Sequence, residues 1–481
     1  MAPLRVRFAP SPTGYFHVGS ARTSLFNWLF ARQQGATFVL RIEDTDEERS
    51  RSEWLYGIVE MMAWLEMVPD EGPVLQSSLR PRHEIWVERL IASGHLYACD
   101  CSRDDIDARA KERGRPGYDG RCRDRGLPTQ GHALRFRTPD SGETVVRDLV
   151  RGDVIFANDS FDDFVVVKAT GQPLFALANA IDDREMEITH VIRGEDLLPT
   201  TPKQLLLWEA MDSAGGEAVG LPVFAHLPML VNEQRKKLSK RKDPVAVELY
   251  RDEGYLPEAF RNYLALLGWA PSGDREKVTV EELIAEFKLE DVNHAPAFFD
   301  VKKLAHLNGE YIRELELADF IERCAPWVDP VNAPWRPREH EVPWPAERYN
   351  ADRFAEIAPL VQERVAVLSE VPRMVDFLFL EDPPFDLDAL RKTVGVSGPG
   401  REVLELATTR LASVEFTPEA LHAEVIAIGE ALELNLRKAQ APIRVAVTGR
   451  SVGPPLFESL ALLGREEVLR RIALALVQAE R

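Results

Sequence analysis

The chain has 481 residues, of which 45% are hydrophobic and 28% charged, and its formal net charge is −19. This composition predicts a globular protein of more than one domain. The acidic balance argues against a protein that coats nucleic acid nonspecifically, although a local basic cluster can still contact phosphates. The sequence lacks the run of roughly 20 apolar residues that a membrane span needs and shows no signal-peptide pattern. We therefore expect a cytoplasmic protein without a membrane partner.

The first 42 residues predict a β-α-β unit. Residues 4–9 alternate as a strand, a helical pattern follows from about Ser20 to Gln34, and residues 37–42 read as a second strand. Gly35 stands where a glycine commonly ends a helix. Such a unit is typical of the start of a parallel nucleotide-binding sheet.

The secondary-structure pattern of the sequence changes twice in the rest of the chain. Residues 80–165 break the strand–helix rhythm and contain three close cysteines, which indicates an inserted module. Strand patterns then resume at 164–168, 188–193 and 227–231, and Thr201-Pro202 predicts a helix with threonine as N-cap. From about residue 245 the pattern is helical. Six prolines between residues 326 and 345 predict a boundary or surface linker.

The first motif is His17-Val18-Gly19-Ser20, placed between the first strand and the helix. A helix N-terminus offers free backbone N–H groups and partial positive charge, which suit phosphate. Gly19 lets a ligand approach the backbone closely, and His17 can donate to a phosphate oxygen. Taken alone, four residues favour an ordinary helix start with a surface histidine.

The second motif is Lys237-Leu238-Ser239-Lys240-Arg241, within a run of eight residues of which six are cationic. It follows a late strand, so its loop can face the first motif at the carboxyl edge of a parallel sheet. Lysines there would neutralise charge on a transferring phosphoryl group. Taken alone, the motif favours a solvated basic loop.

Three longer strings are more specific. They are Arg7-Phe8-Ala9-Pro10-Ser11-Pro12-Thr13-Gly14, Arg41-Ile42-Glu43-Asp44-Thr45-Asp46 and Val191-Ile192-Arg193-Gly194-Glu195-Asp196. With the order and the separation of about 220 residues between the two short motifs, they resemble the bacterial glutamyl-tRNA synthetases of class I, whose signatures are described as HIGH and KMSKS. The resemblance is strong from residue 5 to about 320 and weaker, as a helical tail, to the end.

The resemblance implies an α/β fold, with a Rossmann-type parallel-sheet catalytic domain, an inserted acceptor-binding module and an all-α C-terminal anticodon-binding region. The domains it implies are residues 1–80 and 164–242 for the two halves of the catalytic domain, 81–163 for the inserted acceptor-stem module, 243–325 for a helical stem-contact domain and 326–481 for the anticodon-binding region.

The resemblance also implies the residues of the active site. Catalytic roles fall on His17, Lys237 and Lys240, and ATP binding on His17, Gly19, Ser20, Ser239, Lys240 and Arg241. The glutamate pocket is implied at Arg7, Ala9, Ser11, Glu43, Phe175, Asn179 and Arg193. A guanidinium suits a carboxylate and a carboxylate suits an ammonium. Phe175 departs from many relatives, which have a tyrosine there, so a phenol hydroxyl is lost.

The cysteines suggest a metal site. Cys99, Cys101 and Cys122 resemble the zinc site of some relatives, and tetrahedral zinc needs a fourth ligand. Tyr118 and Asp124 are the two candidates. Structural zinc and three reduced cysteines without metal both remain open.

The implied reaction is the charging of tRNA(Glu). The α-carboxylate of glutamate attacks ATP, which acts with Mg²⁺, and the terminal ribose of tRNA then takes the glutamyl group. A carboxylate is ionised at pH 7, so the first step needs no general base. Arg193 favours glutamate over glutamine because a buried guanidinium facing a neutral amide stays partly unpaired. We expect a monomer.

Several alternatives remain. Charging of tRNA(Gln) as well is open, and Arg364 is the expected anticodon-discriminating arginine. A shorter relative that glutamylates a tRNA base lacks the helical tail, and a plain nucleotidyltransferase would have no use for it. An inactive synthetase-like RNA-binding protein would not need His17, Lys240, Glu43 or Arg193.

Overall fold

A computed structural model describes residues 3–46, 48–215, 219–239, 243–338 and 340–480. The chain forms two compact units. Unit 1 comprises Met1–Leu249 and Phe260–Asp300, and unit 2 comprises Tyr250–Ala259 and Val301–Arg481. Lys240 and Arg241, both expected at the ATP site, lie outside the described residues.

The strands all lie in unit 1. They are β1 Arg5–Phe8, β2 Thr37–Ile42, β3 Glu71–Leu75, β4 Leu96–Cys99, β5 Ala133–Phe136, β6 Glu143–Asp148, β7 Gly152–Ala157, β8 Val165–Val167, β9 His190–Gly194, β10 Val223–Leu227, β11 Leu230–Val231 and β12 Ala297–Phe298. The main sheet has the order β3-β2-β1-β9-β10-β6-β7, parallel except for the antiparallel pair β6–β7. This is the parallel sheet that the sequence predicts.

The helices continue through both units. They are α1 Val18–Gln34, α2 Ser52–Trp64, α3 Arg80–Ala92, α4 Arg103–Arg113, α5 Phe175–Glu185, α6 Thr201–Ser213, α7 Val247–Asp252, α8 Pro257–Leu266, α9 Val280–Glu286, α10 Val301–Glu314, α11 Leu317–Val328, α12 Ala351–Gln362, α13 Val371–Phe379, α14 Leu387–Thr393, α15 Pro399–Arg410, α16 Pro418–Ala431, α17 Leu436–Thr448, α18 Leu456–Leu463 and α19 Arg465–Gln478. Among the described residues, no helix combines the length and apolarity that crossing a bilayer requires.

Helix α1 follows β1 and ends as its sequence predicts. Gly35 adopts a left-handed conformation with φ 63°, and its N–H bonds to the carbonyl of Ala31. The next strand, β2, is buried from Phe38 to Ile42, as expected for a central strand that helices cover on both faces. Leu25 and Leu29 of α1 are fully buried. The β-α-β unit therefore fixes the start of α1 at the carboxyl edge of the sheet.

The segment expected to be an inserted module contributes to two sheets. Strands β4, β5 and β8 form a separate antiparallel sheet. Strands β6 and β7, in contrast, extend the main sheet through the pairing of Asp148 with Phe224. The strand expected at 164–168 to resume the main sheet is β8, and it belongs to the small sheet instead.

Two predicted elements differ in detail. The helix expected to have Thr201 as N-cap starts at Thr201, with Thr200 as N-cap and Pro202 in the first turn. The strand expected at 227–231 is divided into β10 and β11 around Pro228, since proline cannot donate to a strand ladder. Strand β11 pairs instead with β12.

Unit 2 packs its helices around one apolar core. The proline-rich stretch is not wholly a surface linker, because Pro326 lies within α11 and Trp344 is 3% exposed. The indole of Trp344 donates to the carbonyl of Val328 at 3.1 Å. The stretch is thereby anchored within the core of unit 2.

Candidate active site

A cavity of about 430 Å³ lies at the carboxyl edge of β1, β2 and β9. Parallel strands place their carboxyl ends together, and ligands of such sheets bind at that edge. Its lining includes every residue expected in the glutamate pocket, three of those expected to bind ATP, and the expected catalytic Lys237: Arg7, Ala9, Ser11, Glu43, Phe175, Asn179, Arg193, His17, Gly19, Ser20 and Lys237. Ser239 is described and does not line it.

His17 forms the N-cap of α1. Its Nδ1 accepts a hydrogen bond from the backbone N–H of Gly19 at 2.9 Å. The proton of the neutral ring is therefore on Nε2, which can donate to a phosphate oxygen. A Cβ at Gly19 would lie 3.2 Å from Nδ1 of His17, so the glycine keeps the cap geometry unstrained.

The chain beyond the second motif pairs with the start of α1. The N–H of Val18 donates to the carbonyl of Val245 at 2.8 Å, and the N–H of Val247 donates to the carbonyl of Phe16 at 2.9 Å. These bonds enclose His17, which bridges to Ala246. The two motifs, distant in sequence, thus belong to one local structure.

Lys237 forms an ion pair with Asp196, with 3.1 Å between Nζ and Oδ2. Both side chains are more than half exposed, and exposed pairs are worth about 0–1 kcal/mol. The ammonium can therefore leave Asp196 for a phosphate at small cost. The N–H of Ser239, meanwhile, donates to Oδ2 of Asp243 at 2.8 Å.

Arg193 is 4% exposed, and its guanidinium donates to three neighbouring side chains. Its Nη2 donates to Oγ1 of Thr201 at 2.8 Å and to Oε1 of Gln204 at 2.7 Å, and its Nε to Nε2 of His226 at 3.2 Å. Its Nη1 is buried and has no hydrogen-bond partner in the part of the chain that the structure describes. Burial, with the positive charge of Arg7, lowers the pKa of Arg193 to about 9 against the opposing effect of Asp183, Glu43 and Asp196, so it remains cationic at neutral pH.

Glu43 faces the same cavity. Its Oε1 accepts a hydrogen bond from the side-chain amide of Asn179. Burial raises the pKa of Glu43, against the lowering effect of Arg41 and Arg7. A cation bound in the cavity would favour its ionised form. Arg193 and Glu43 together suit a zwitterionic ligand with an additional carboxylate.

Arg7 and Arg41 share one buried acid. Asp183 accepts from Nε and Nη2 of Arg7 at 3.0 and 3.1 Å, and from Nη1 of Arg41 at 2.7 Å. Sequence patterns did not single out Asp183, since helical periodicity describes apolar faces and not buried acids. Arg7 lies on β1 and Arg41 on β2. Asp183 therefore fixes both arginines beside Glu43.

Arg22, on the second turn of α1, also lines the cavity and was not expected from the sequence. It is 2% exposed, and burial lowers its pKa to about 9. Its Nη1 donates to the carbonyl of Leu267 at 3.0 Å, and its Nη2 to that of Pro228. Arg22 thereby joins α1 to the turn that precedes β11.

The three close cysteines lie together. The sulfurs of Cys99, Cys101 and Cys122 lie within 4.8 Å of one another, and those of Cys101 and Cys122 are 3.6 Å apart. Two sulfurs on one tetrahedral zinc, each at about 2.3 Å, would be separated by about 3.8 Å. Arg109 donates to Cys101 at 3.2 Å and Arg125 to Cys122 at 3.4 Å, which would offset thiolate charge. The donor set fits zinc.

The two candidate fourth ligands occupy different places. The hydroxyl of Tyr118 lies 3.8 Å from the sulfur of Cys99, and it accepts from the N–H of Cys122 at 2.7 Å. Asp124 is 86% exposed and pairs with Arg137 at 3.2 Å. Tyr118 therefore adjoins the cysteines, whereas Asp124 is engaged elsewhere.

Arg364 lies in unit 2, directly after α12, and is exposed. It is close enough to Arg444 to contribute to the lowered pKa of that half-buried guanidinium, for which burial is the larger cause. Two arginines so placed form a local positive site in an acidic chain.

A parallel sheet with an anion-binding helix start and a basic loop at the same edge defines an enzyme that activates its substrate with a nucleotide. Residues 3–306 match the model of the catalytic domain of class I tRNA synthetases (E and Q), and residues 319–476 match an anticodon binding domain. Class I synthetases use ATP and Mg²⁺.

Relatives narrow the class further. The glutamate–tRNA ligase of Frankia casuarinae is 55% identical over 98% of this chain and 97% of its own length, and that of Salinispora arenicola is 52% identical over 99% of each. A glutamate tRNA ligase from Elizabethkingia meningosepticum, solved in complex with its amino acid, superposes with a TM-score of 0.81 at 31% identity, covering 98% of this chain and 99% of that one. The chain belongs to the glutamate–tRNA ligase family. The predicted class and fold are confirmed.

Proposed function

We propose that this protein activates L-glutamate with ATP and transfers it to the 3′-terminal ribose of tRNA(Glu). The observation that carries the proposal is Arg193, a buried cation that lines the cavity and whose Nη1 has no hydrogen-bond partner among the described residues. A cation in this state is stabilised by a carboxylate and much less by a neutral amide. The ligand side chain is therefore glutamate in preference to glutamine.

The remaining pocket residues are assigned by their chemistry. Glu43, oriented by Asn179, receives the α-ammonium. Arg7, held by Asp183, and Ser11 contact the substrate from β1 and the turn after it. Ala9 shapes the pocket floor, and Phe175, 37% exposed at the rim, contributes its face without a hydroxyl.

Activation depends on positioning and charge. The substrate α-carboxylate attacks the α-phosphate of ATP, the bond to the leaving pyrophosphate breaks, and glutamyl-adenylate forms. Nε2–H of His17, the N-terminus of α1 at Gly19 and Ser20, and Nζ of Lys237 neutralise the phosphates. We assign Ser239, Lys240 and Arg241 to the same task from their place in the second motif. Mg²⁺ would supply further neutralisation with the bound ATP.

Transfer needs no dedicated base. The terminal ribose hydroxyl of tRNA attacks the carbonyl carbon of the mixed anhydride, the bond from that carbon to the phosphate oxygen breaks, and AMP leaves after its phosphate accepts the hydroxyl proton. The five domain ranges given by the sequence remain our division of the chain, with 81–163 as the acceptor-stem module and 326–481 as the anticodon-binding region.

A structural zinc would be held by Cys99, Cys101, Cys122 and Tyr118. We expect the chain to act as a monomer.

Charging assays test the proposal. Purified protein should charge tRNA(Glu) with L-glutamate, and ATP–pyrophosphate exchange should be negligible until tRNA is added. Lys240→Ala should lower turnover by about two orders of magnitude or more, with tRNA binding retained. Robust exchange without tRNA, or unchanged turnover in the variant, would contradict the mechanism. An inactive RNA-binding protein would bind tRNA and fail to charge it.

A further inference from the structure

A buried histidine–aspartate pair, Asp148 and His226, lies outside the lining of the cavity and contacts Arg193 through the histidine. Asp148 is the last residue of β6, and its Oδ1 accepts the N–H groups of Val150 at 2.9 Å and Arg151 at 2.8 Å. Its Oδ2 accepts the N–H of His226 at 3.0 Å and lies 2.6 Å from Nδ1 of that ring. Asp148 and His226 are 6% and 0% exposed.

These contacts fix the tautomer of His226. Burial raises the pKa of Asp148, but the hydrogen bonds from His226 and the backbone outweigh it, and the net direction is downward. Asp148 is therefore an ionised carboxylate, which only accepts hydrogen bonds. Nδ1 of His226 must carry the proton, and Nε2 of the neutral ring presents its lone pair.

That lone pair faces Arg193. Nε of Arg193 lies 3.2 Å from Nε2 of His226, and Oγ1 of Thr201 lies 3.0 Å from it. Gln204 accepts from Nη2 of Arg193 and donates to Oδ1 of Asn179 at 3.4 Å. Because Nε and Nη2 are both engaged, the orientation of the Arg193 guanidinium, which lines the cavity, is fixed.

We infer that Asp148 and His226 are positioning residues that orient Arg193 for the side-chain carboxylate of the substrate and thereby determine the preference for glutamate over glutamine. The inference rests on the proposed function, since it assumes that Arg193 contacts glutamate. If the lone pair on Nε2 is lost, Nε of Arg193 loses its acceptor and the guanidinium is released to rotate.

Proton uptake by His226 would have the same effect as removing the acceptor. The charged groups that face the ring are Asp148 on β6, Arg193 on β9 and Arg7 on β1. Burial lowers the pKa of His226, Asp148 opposes this, and the two arginines add to it. The ring is therefore neutral at pH 7, and glutamate recognition should weaken only in acid.

Two neutral substitutions of His226 test the acceptor at Nε2 separately from the contact of the ring with Asp148. In His226→Gln, the side-chain carbonyl can reach the place of Nε2 and accept from Arg193. In His226→Asn, the shorter amide can bond to Asp148 but leaves Arg193 without that acceptor. Aminoacylation would be measured for each variant at varied L-glutamate, ATP and tRNA(Glu), with L-glutamine as the competing amino acid.

We expect His226→Asn to raise KM for L-glutamate by about tenfold or more, the cost of an unsatisfied buried donor, and to reduce discrimination against L-glutamine. KM for ATP and tRNA should stay within about twofold of wild type. His226→Gln should restore KM for glutamate to within about threefold and abolish its rise in acid. Asp148→Asn, which can impose the other tautomer, should resemble His226→Asn.

Asp163→Asn serves as a matched control, because Asp163 is 3% exposed, pairs with Arg123 and Tyr97, and does not line the cavity. It should lower thermal stability without changing KM for glutamate. Equal, wild-type KM values in folded His226→Asn and Asp148→Asn would overturn the inference. If Arg193→Leu also kept a wild-type KM, the proposed function of Arg193 would fail with it; if only Arg193→Leu lost glutamate, the inference alone would fail.

Discussion

The backbone N–H of Gly19 donates to Nδ1 of His17, so one ring nitrogen caps α1 and the proton of the neutral ring is on the other, Nε2. The two roles can be separated by substitution. His17→Asn retains a side-chain acceptor that can cap the helix but lacks the Nε2 donor. We expect kcat to fall by about 100-fold in this variant, with little change in thermal stability.

His17→Ala removes both roles and supplies the comparison. We expect the same loss of kcat together with about 1 kcal/mol lower stability from the lost cap. Aminoacylation rates and urea unfolding would be measured on both variants. Near-normal kcat in His17→Asn would show that capping is the whole role of His17.

Asp183 is the common partner of Arg7 and Arg41, and removing its charge should be costly. Asp183→Asn leaves Arg7 with a neutral acceptor in place of its buried anionic partner, whereas Arg41 keeps its ion pairs with Glu43 and Asp182. Breaking a buried ion pair in this way costs about 3–5 kcal/mol. We expect a lower urea midpoint for unit 1 and a raised KM for glutamate, because Arg7 loses its anchor. Asp163→Asn would again serve as the control, since it shows how much a buried acid outside the pocket contributes to the urea midpoint and to KM for glutamate.

The stability difference should depend on pH in one direction. Burial raises the pKa of Asp183, but Arg7 and Arg41 lower it more, so the folded-state pKa lies below the ordinary value. The stabilisation is therefore complete above the unfolded-state pKa of about 3.9 and is lost as pH falls through the folded-state pKa. Unfolding of wild type and Asp183→Asn should converge in acid. A gap that widens as pH falls would contradict this assignment.

The fold class and the residues that line the cavity could be predicted from the sequence. The buried residues that hold those lining residues in place could not. Strand alternation and the helix stop at Gly35 are local signals, and the β-α-β unit follows them. Strand β8, expected in the main sheet, belongs to the small sheet, and the pair β6–β7, within the expected inserted module, extends the main sheet, because pairing partners are set by tertiary contacts. Thr201 was expected to cap α6, but its hydroxyl bonds to Arg193.

The residues that sequence reasoning missed share a property. Asp183, Gln204 and His226 are buried polar groups. Asp183 bonds to Arg7 and Arg41 across 176 and 142 residues of sequence, and His226 bonds to Asp148 across 78. Hydrophobic periodicity shows only that such a position is buried, and it would predict an apolar residue there.

Zinc binding should distinguish Tyr118 from Asp124. If Tyr118 completes the site, Tyr118→Phe should reduce zinc affinity, while Asp124→Asn should leave zinc content unchanged because that carboxylate pairs with Arg137. Zinc per chain would be measured by elemental analysis after dialysis, with Cys122→Ser as the variant that abolishes the site. One zinc per chain in Tyr118→Phe and none in Asp124→Asn would reverse the assignment.

Arg364 should affect which tRNA is charged and not the chemistry. It is an exposed cation in unit 2 whose charge acts on Arg444, and a guanidinium that recognises one base is worth about 1–3 kcal/mol of discrimination. We expect Arg364→Gln to lower the ratio of kcat/KM for tRNA(Glu) over tRNA(Gln) by about tenfold, with KM for glutamate and ATP unchanged. Arg391→Gln, which removes an exposed arginine of α14 that is 65% accessible, controls for general loss of positive charge. An equal loss of tRNA affinity in both variants, with the ratio preserved, would reduce Arg364 to a nonspecific phosphate contact.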